Sequence, residues 1–271
     1  VYNFTYAYVH MAVKSIFDPY IPNNDGAAAP IRLIAPEGTV VNCRFPAAVA
    51  ARMQIGHFVT EIIYCALAKA LPERVLAGSG GTPATMQVFY GQRNTGENFH
   101  AVLIRGGGLG AGASRDGGGS FIFPANGANT PVEILESDTP LVLKQRELIP
   151  DSGGAGKQRG ALGRREVFWM PEDAYAPQGS VNLAIQSGRF RIPPEGLFGG
   201  KPGAKAQFLV NGQPGNPYGL TRLRAGDTVI MDAAGGGGYG DPGKRDREAI
   251  KRDVADGRVT KDGAARDYGL K

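Results

Sequence analysis

Pro150-Asp151-Ser152-Gly153-Gly154-Ala155-Gly156-Lys157-Gln158-Arg159-Gly160 decides how this 271-residue chain is read. It has the outline of a phosphate-binding loop, which requires Gly, four residues, then Gly-Lys followed by Ser or Thr. Here Gln158 follows Lys157, so the magnesium-holding hydroxyl is missing, and Asp151 stands where the first glycine belongs. The glycines therefore do not grip a nucleotide in that way. They are read as turns, bulges and close backbone approaches, which points to a β-rich fold with long structured loops.

The composition agrees. Glycine accounts for 41 residues, about twice its usual share. The glycines are spread between apolar runs, against a collagen-like or disordered chain. From about residue 83 the apolar period is that of strands. Met86–Tyr90, Phe99–Arg105, Ser120–Phe123, Val132–Leu135, Leu141–Leu148, Arg165–Trp169, Val181–Gln186, Ala206–Val210 and Thr228–Met231 are strand candidates. Gly, Pro, Asn or Asp separates nearly every pair, the punctuation of an antiparallel sandwich or barrel.

Upstream, Phe4, Tyr8, Met11 and Ile16 recur near helical spacing, and Asp18-Pro19 stops that helix. Short strands are expected at Ile31–Ala35 and Thr39–Val41, and a long helix at Ala47–Leu71 with Val49, Met53, Val59, Ile62, Ile63, Ala66, Leu67 and Ala70 on its apolar face. The tail returns to helix over Arg245–Ala255, capped by Gly257, with a short turn from Thr260 to Asp267. The class is α+β: a helical segment over 1–82 that continues an upstream domain, an antiparallel β-rich domain over 83–242, and a helical tail over 243–271.

Several function classes are excluded. The net charge of +5 is dispersed, with no basic stripe and no interleaved aromatics, against a nucleic-acid surface. Cys43 and Cys65 form no CxxC pair and are expected reduced and buried, as in a cytoplasmic protein. His10, His57 and His100 lie far apart, so no metal site is expected wholly within the chain. No apolar run reaches membrane-spanning length, and residues 1–4 do not begin a signal peptide. The chain opens inside a helix without an initiator Met, as a cleaved product or a fragment of a longer polypeptide would.

Five stretches carry candidate chemistry or conformation. Arg105-Gly106-Gly107-Gly108-Leu109-Gly110 follows a strand but leads into Ser114–Gly119, which cannot start a stable helix, so a dinucleotide fingerprint fails; close backbone packing and a ligand-facing loop both stay open. Asp116, Asn126, Asn129, Glu133 and Glu136 form the densest polar group. As a strand, 132–136 puts Glu133 and Glu136 on opposite faces, against a two-carboxylate site, and makes Glu133 the carboxylate to examine for burial. The loop 151–163 offers successive backbone N–H groups beside Lys157 and Arg159, either an anion-binding concavity or a tight crossing between strands. Arg189, pinned near Pro193-Pro194, is an anion clamp or an interface ion-pair donor. Gly235–Gly238 is either a hinge or a closely packed segment anchored by Tyr239 and Asp241-Pro242.

Taken together, Ile21-Pro22-Asn23-Asn24-Asp25-Gly26, Ala35-Pro36-Glu37-Gly38-Thr39, Pro46-Ala47-Ala48-Val49, Asn129-Thr130-Pro131-Val132-Glu133, Pro150–Gly156, Pro193–Gly200 and Gly235–Pro242 resemble the hydantoinase B/oxoprolinase family. The tail from Asp253 to Leu270 is similar to that family's C-terminus, so the resemblance is to its C-terminal half. It implies an ATP-dependent hydrolase of hydantoin, oxoproline or lactam rings, or a related acetone- or acetophenone-type carboxylase, with a non-catalytic scaffold piece as the third reading. It also implies that ATP is bound by a hydantoinase A-type subunit and that a divalent metal is held in the N-terminal half, with neither bound by this chain alone. On residue type, Glu133, Arg159 and Arg189 are the expected catalytic groups. Asp116, Asn129, Gly153, Gly154 and Gly156 are the expected substrate- or anion-binding set.

Overall fold

The structure, a computed structural model, describes residues 1–127, 129–173 and 181–270. Helices α1 (Tyr2–Phe17), α2 (Asp25–Ala28) and α3 (Arg52–Leu67) come first. Strands β1 (Thr85–Gln92), β2 (Asn98–Arg105), β3 (Gly107–Gly108) and β4 (Ser120–Phe121) lead to helix α4 (Val132–Asp138). Strands β5 (Val142–Leu148), β6 (Arg164–Trp169), β7 (Val181–Gln186), β8 (Gln207–Val210), β9 (Gln213–Pro214), β10 (Leu220–Leu223) and β11 (Thr228–Ala233) follow. Helices α5 (Arg247–Ala255) and α6 (Lys261–Tyr268) close the chain.

Nine of the described strands make two antiparallel sheets, ordered β10-β7-β1-β2 and β5-β6-β11-β8-β9, packed face to face, and β3 pairs with β4. Alternation sets which side chains meet. Phe99, Ala101 and Leu103 of β2, Phe89 of β1 and Leu183 of β7 turn inward against Phe168 of β6, Phe208 of β8 and Met231 of β11. Phe89 and Phe168 bridge the two sheets with ring centroids 5.4 Å apart.

The glycine-rich segments make a second layer that is neither helix nor sheet. Residues 234–240 run through its middle and bond to segments on every side. Gly235 and Gly238 donate to the carbonyls of Ala204 and Lys201; Gly236 and Tyr239 donate to Ala161 and Gln158. The carbonyls of Ala234 and Gly237 accept from Gly108 and Ala111. The outer segments repeat the pattern: Ala77 and Gly80 donate to Ala111 and Gly108, and Lys201 and Ala204 to Ala155 and Ser152. Each pair steps by three residues, the repeat of the polyproline II conformation, whose peptide groups bond only to neighbours. A segment so surrounded has no direction left for a side chain. A Cβ at Gly80, Gly108, Gly236 or Gly237 would strike a backbone carbonyl of the next segment.

Helices α1 and α3 pack against each other over Ala12, Ile16, Tyr64, Ala68 and Val75. The Ser15 and Tyr64 hydroxyls meet at 2.7 Å, and Gly56 lets the rings of Phe4 and Tyr8 lie on the backbone of α3. Among the described residues no helix is long and apolar enough to cross a membrane.

The helices and antiparallel sheets are those expected of an α+β chain; several details differ. Val132–Leu135 is not a strand but the first turn of α4, with Pro131 at its N-cap. Ile31–Ala35 forms no strand, and Thr39 only bridges to Asn42. Helix α3 is shorter than expected and buries Gly56, His57, Thr60 and Tyr64, while Ile62 and Ala66 are exposed. Residues 261–268 form a helix rather than a turn. Both cysteines are free, but Cys65 is exposed and Cys43 half-buried, so the expected burial does not hold. The glycine segments are a mutually bonded layer rather than long loops.

Candidate functional site

The structure divides the expected site residues among three places. Asp116, Arg159 and the 153–156 segment come together under the C-terminal tail. The Asp116 carboxylate accepts the Arg159 backbone N–H at 2.7 Å and takes both ends of the Arg245 guanidinium at 2.8 and 2.7 Å. Arg245 also donates to Asp253 at 2.6 Å, and Asp253 pairs in turn with Arg159 at 3.2 and 3.3 Å. Two arginines and two aspartates thus alternate around a buried ring, locking helix α5 onto the glycine layer. Burial pushes the Asp116 carboxyl up, but the Arg245 hydrogen bonds and charge, with the Arg159 N–H, outweigh it and hold it below the ordinary carboxylate range. Asp151 adds a further lock, accepting the Thr260 N–H and hydroxyl at 2.9 and 2.6 Å.

The same region answers whether the 151–163 loop suits a nucleotide phosphate. The N–H groups of Gly154, Lys157 and Gln158 already donate to the carbonyls of Gly236, Gly240 and Tyr239. Gly153, Gly154 and Gly156 each face a neighbouring carbonyl too closely for a side chain. The loop therefore does not fit a phosphate, and its glycines serve packing. Among the described residues no three His, Cys, Asp or Glu side chains gather as a metal-holding group.

Arg189 lies elsewhere, after β7, where it ties α3 to the glycine layer. It is paired with Glu61 of α3, donates to the Ser79 carbonyl at 3.2 Å, and stacks on Phe58 with its guanidinium 5.0 Å from the ring centre. Beside it an open groove of 370 Å³ runs between α3 and β7, lined by Gln54, Phe58, Gln186 and Tyr218. Glu133 and Asn129 stand apart from both clusters and are exposed. Glu133 lies in the first turn of α4, where a carboxylate favours the helix N-terminus. Glu133, the carboxylate to examine for burial, is exposed, and its segment is helix rather than the expected strand.

Sequence reasoning names Arg159 and Arg189 but misses Arg245 and the carboxylates Asp253 and Glu61. Asp253 is 94 positions from Arg159, and Glu61 128 positions from Arg189, so no local spacing announces either pair.

The fold and these clusters can be set beside known proteins. The hydantoinase B/oxoprolinase family matches residues 1–242. The chain belongs to that family. An uncharacterized protein of Methanocaldococcus jannaschii is 36% identical over 277 residues, covering 100% of this chain and 47% of that one. The caprolactamase subunit beta of Pseudomonas jessenii is 30% identical over 268 residues, 92% of this chain and 45% of that one. The crystal structure of the ATP-dependent caprolactamase from Pseudomonas jessenii superimposes with a TM-score of 0.81 at 26% identity, over 97% of this chain and 47% of the other. An acetone carboxylase, solved in its nucleotide-free state, shares the fold with a TM-score of 0.79 at 22% identity, over 99% of this chain and 40% of the other. The chain spans less than half the length of each of these relatives. Among these relatives the named activities are those of an ATP-dependent caprolactamase and an acetone carboxylase.

Proposed function

We propose that the chain is the C-terminal part of a hydantoinase B-type subunit in a cytoplasmic, ATP-dependent hydrolase that opens a cyclic amide: a hydantoin, oxoproline or a lactam. The observation that carries this reading is the 30% identity to a caprolactamase subunit across 92% of the chain. In this reading ATP and a divalent metal belong to a hydantoinase A-type ATPase subunit and to the N-terminal half of the family's B subunit. No step is assigned to them through residues of this chain.

The chain's own contribution is shape. The buried pairs Arg159–Asp253 and Arg189–Glu61 make these arginines positioning residues, which fix the tail and α3 against a rigid glycine layer. Tyr20, Ile34, Val40 and Phe45 of the 18–51 stretch are exposed, and exposed apolar side chains suit contact with a partner polypeptide. The isolated chain is accordingly inactive in this reading.

The second reading is an ATP-dependent ketone carboxylase, favoured by the shared fold with acetone carboxylase. Labelled bicarbonate separates the two. The assembled enzyme is incubated with ATP and either caprolactam or acetone, and the product is counted. Ring opening without label supports the hydrolase; label in the product overturns it in favour of the carboxylase.

A further inference from the structure

The interior of the sandwich changes character at the end that meets the glycine layer. Along β1 the inward row runs Phe89, Gln87, Thr85; along β2 it runs Leu103, then Arg105; along β6 it runs Phe168, Glu166, Arg164. Apolar side chains thus give way to a polar plug in which Gln87, Arg105, Arg164 and Glu166 are all nearly fully buried.

The charges in this plug do not balance. Glu166 is ringed by three guanidiniums: Arg105 Nε at 3.0 Å, Arg146 Nε at 2.8 Å and Arg164 Nε at 3.7 Å. Arg146 enters from β5 and reaches out to solvent, whereas Arg105 and Arg164 are sealed, with 2% and 5% of their side chains exposed. Three positive charges thus face one negative charge. Burial pushes the Arg105 guanidinium down to about 10 even though Glu166 stands beside it.

The donors are also in excess. Arg105 Nη1 and Nη2, Arg164 Nε and Nη2, and Arg146 Nη2 have no hydrogen-bond partner among the described residues. A buried charged donor without a partner is costly, and native interiors rarely keep several together. Arg105, Arg164, Glu166, Thr85, Gln87 and Met231 line a small, partly open cavity of about 10 Å³, measured as the space open to the centre of a water molecule. That is about the lower limit for one water-sized occupant, so a halide would be seated with small shifts of the arginine side chains, and phosphate or a carboxylate would not fit.

We propose that this cavity is a structural anion site that holds one halide, chloride in the cell, between the guanidiniums of Arg105 and Arg164. A halide would accept from several N–H groups at once and cancel one of the two surplus charges. A water molecule could take some of these bonds but would leave the surplus intact. The site is buried between the sheets and apart from the Arg159 and Arg189 clusters. Its role is to make a charged plug stable where the sandwich joins the glycine layer.

The test uses bromide. Crystals of the chain, in whatever complex it is purified, are grown with bromide as the sole halide, and anomalous data are collected at the bromine edge. An anomalous peak between Arg105 and Arg164 is expected. Density at that point with no anomalous signal means water and overturns the proposal. In parallel, the melting temperature of the wild-type chain is followed from zero to high chloride, with gluconate holding ionic strength constant. A site-bound anion raises it by about 3 °C for each tenfold increase above its Kd. Equal melting in chloride and gluconate at every concentration also counts against the site. Arg164→Gln, where it folds, is expected to lose the chloride dependence; retaining the full dependence would place the anion elsewhere.

Discussion

Replacing Gly156 by alanine tests the glycine layer at a position where the clash can be worked out. A Cβ on Gly156 would lie 2.6 Å from the Gln158 carbonyl oxygen and the Tyr239 nitrogen, and 2.8 Å from the Tyr239 oxygen. All three are backbone atoms, so no side chain can swing away. Reaching an ordinary contact of about 3.4 Å requires a shift of roughly 0.6–0.8 Å between two segments that pack on both sides. Gln158 and Tyr239 exchange a reciprocal pair of hydrogen bonds, each 2.9 Å, and such a shift stretches both beyond bonding range. Losing two bonds in a buried place costs about 2–5 kcal/mol, between the net value of a hydrogen bond and the penalty of unmet groups. For a chain of this size that lowers the melting temperature by roughly 5–15 °C. The control is Gly119→Ala: Gly119 is exposed, and a Cβ there meets nothing within 4 Å. Its expected change lies between zero and a slight stabilisation. Urea and thermal unfolding followed by circular dichroism measure both variants. If Gly156→Ala unfolds with the control, the layer is looser than its hydrogen bonds indicate and the packing argument fails.

Three further outcomes follow from the charged groups. Arg245→Met leaves Asp116 and Asp253 buried against each other without their shared cation, and should cost about 3–5 kcal/mol. Faster hydrogen exchange confined to residues 246–268 is the signature; unchanged exchange there would show that the tail is held by other contacts. Burial lowers His57 to about 4, so the folded state keeps it neutral while the unfolded chain protonates it near 6.5. Stability should therefore fall as pH drops from about 6.5 to 4, by about 3 kcal/mol, and level off below. A nuclear magnetic resonance titration of the His57 ring with a midpoint near 6.5 would refute this. The Asp116 carboxyl, held low, contributes stability that is full above about 3.9 and is lost as pH falls through its depressed value. Asp116→Asn should remove that acid loss, and an unchanged urea midpoint profile between pH 2 and 5 would contradict it.

Strands such as Phe99–Arg105 and Val181–Gln186 are legible because more and less buried residues alternate along them between clear breaks. Val132–Leu135 was misread because a four-residue run after Thr130-Pro131 suits a strand as well as a helix whose N-cap is Pro131. Helix α3 is legible as a helix, but its buried stripe is rotated from the apolar face, of which Ile63 and Leu67 are half-buried against the core. Its buried stripe is Gly56, His57, Thr60 and Tyr64, residues that hydrophobic periodicity ranks low. The family was legible from motifs distributed along the chain. The three-residue repeat of the glycine layer was not, since glycine carries no side chain to mark which neighbour each residue faces. Nor were the charged locks, whose partners lie 94 and 128 positions apart. Residue type alone points to Arg159 and Arg189; the partners that fix their role, Asp253 and Glu61, are visible only once the chain is folded.

Reconstitution tests the central claim most directly. The purified chain, a hydantoinase A-type ATPase subunit and the N-terminal half of a B subunit are assayed singly, in pairs and together for ATP-dependent opening of caprolactam and hydantoin. Turnover is expected only when all three are mixed. Ring opening by this chain on its own would contradict the account.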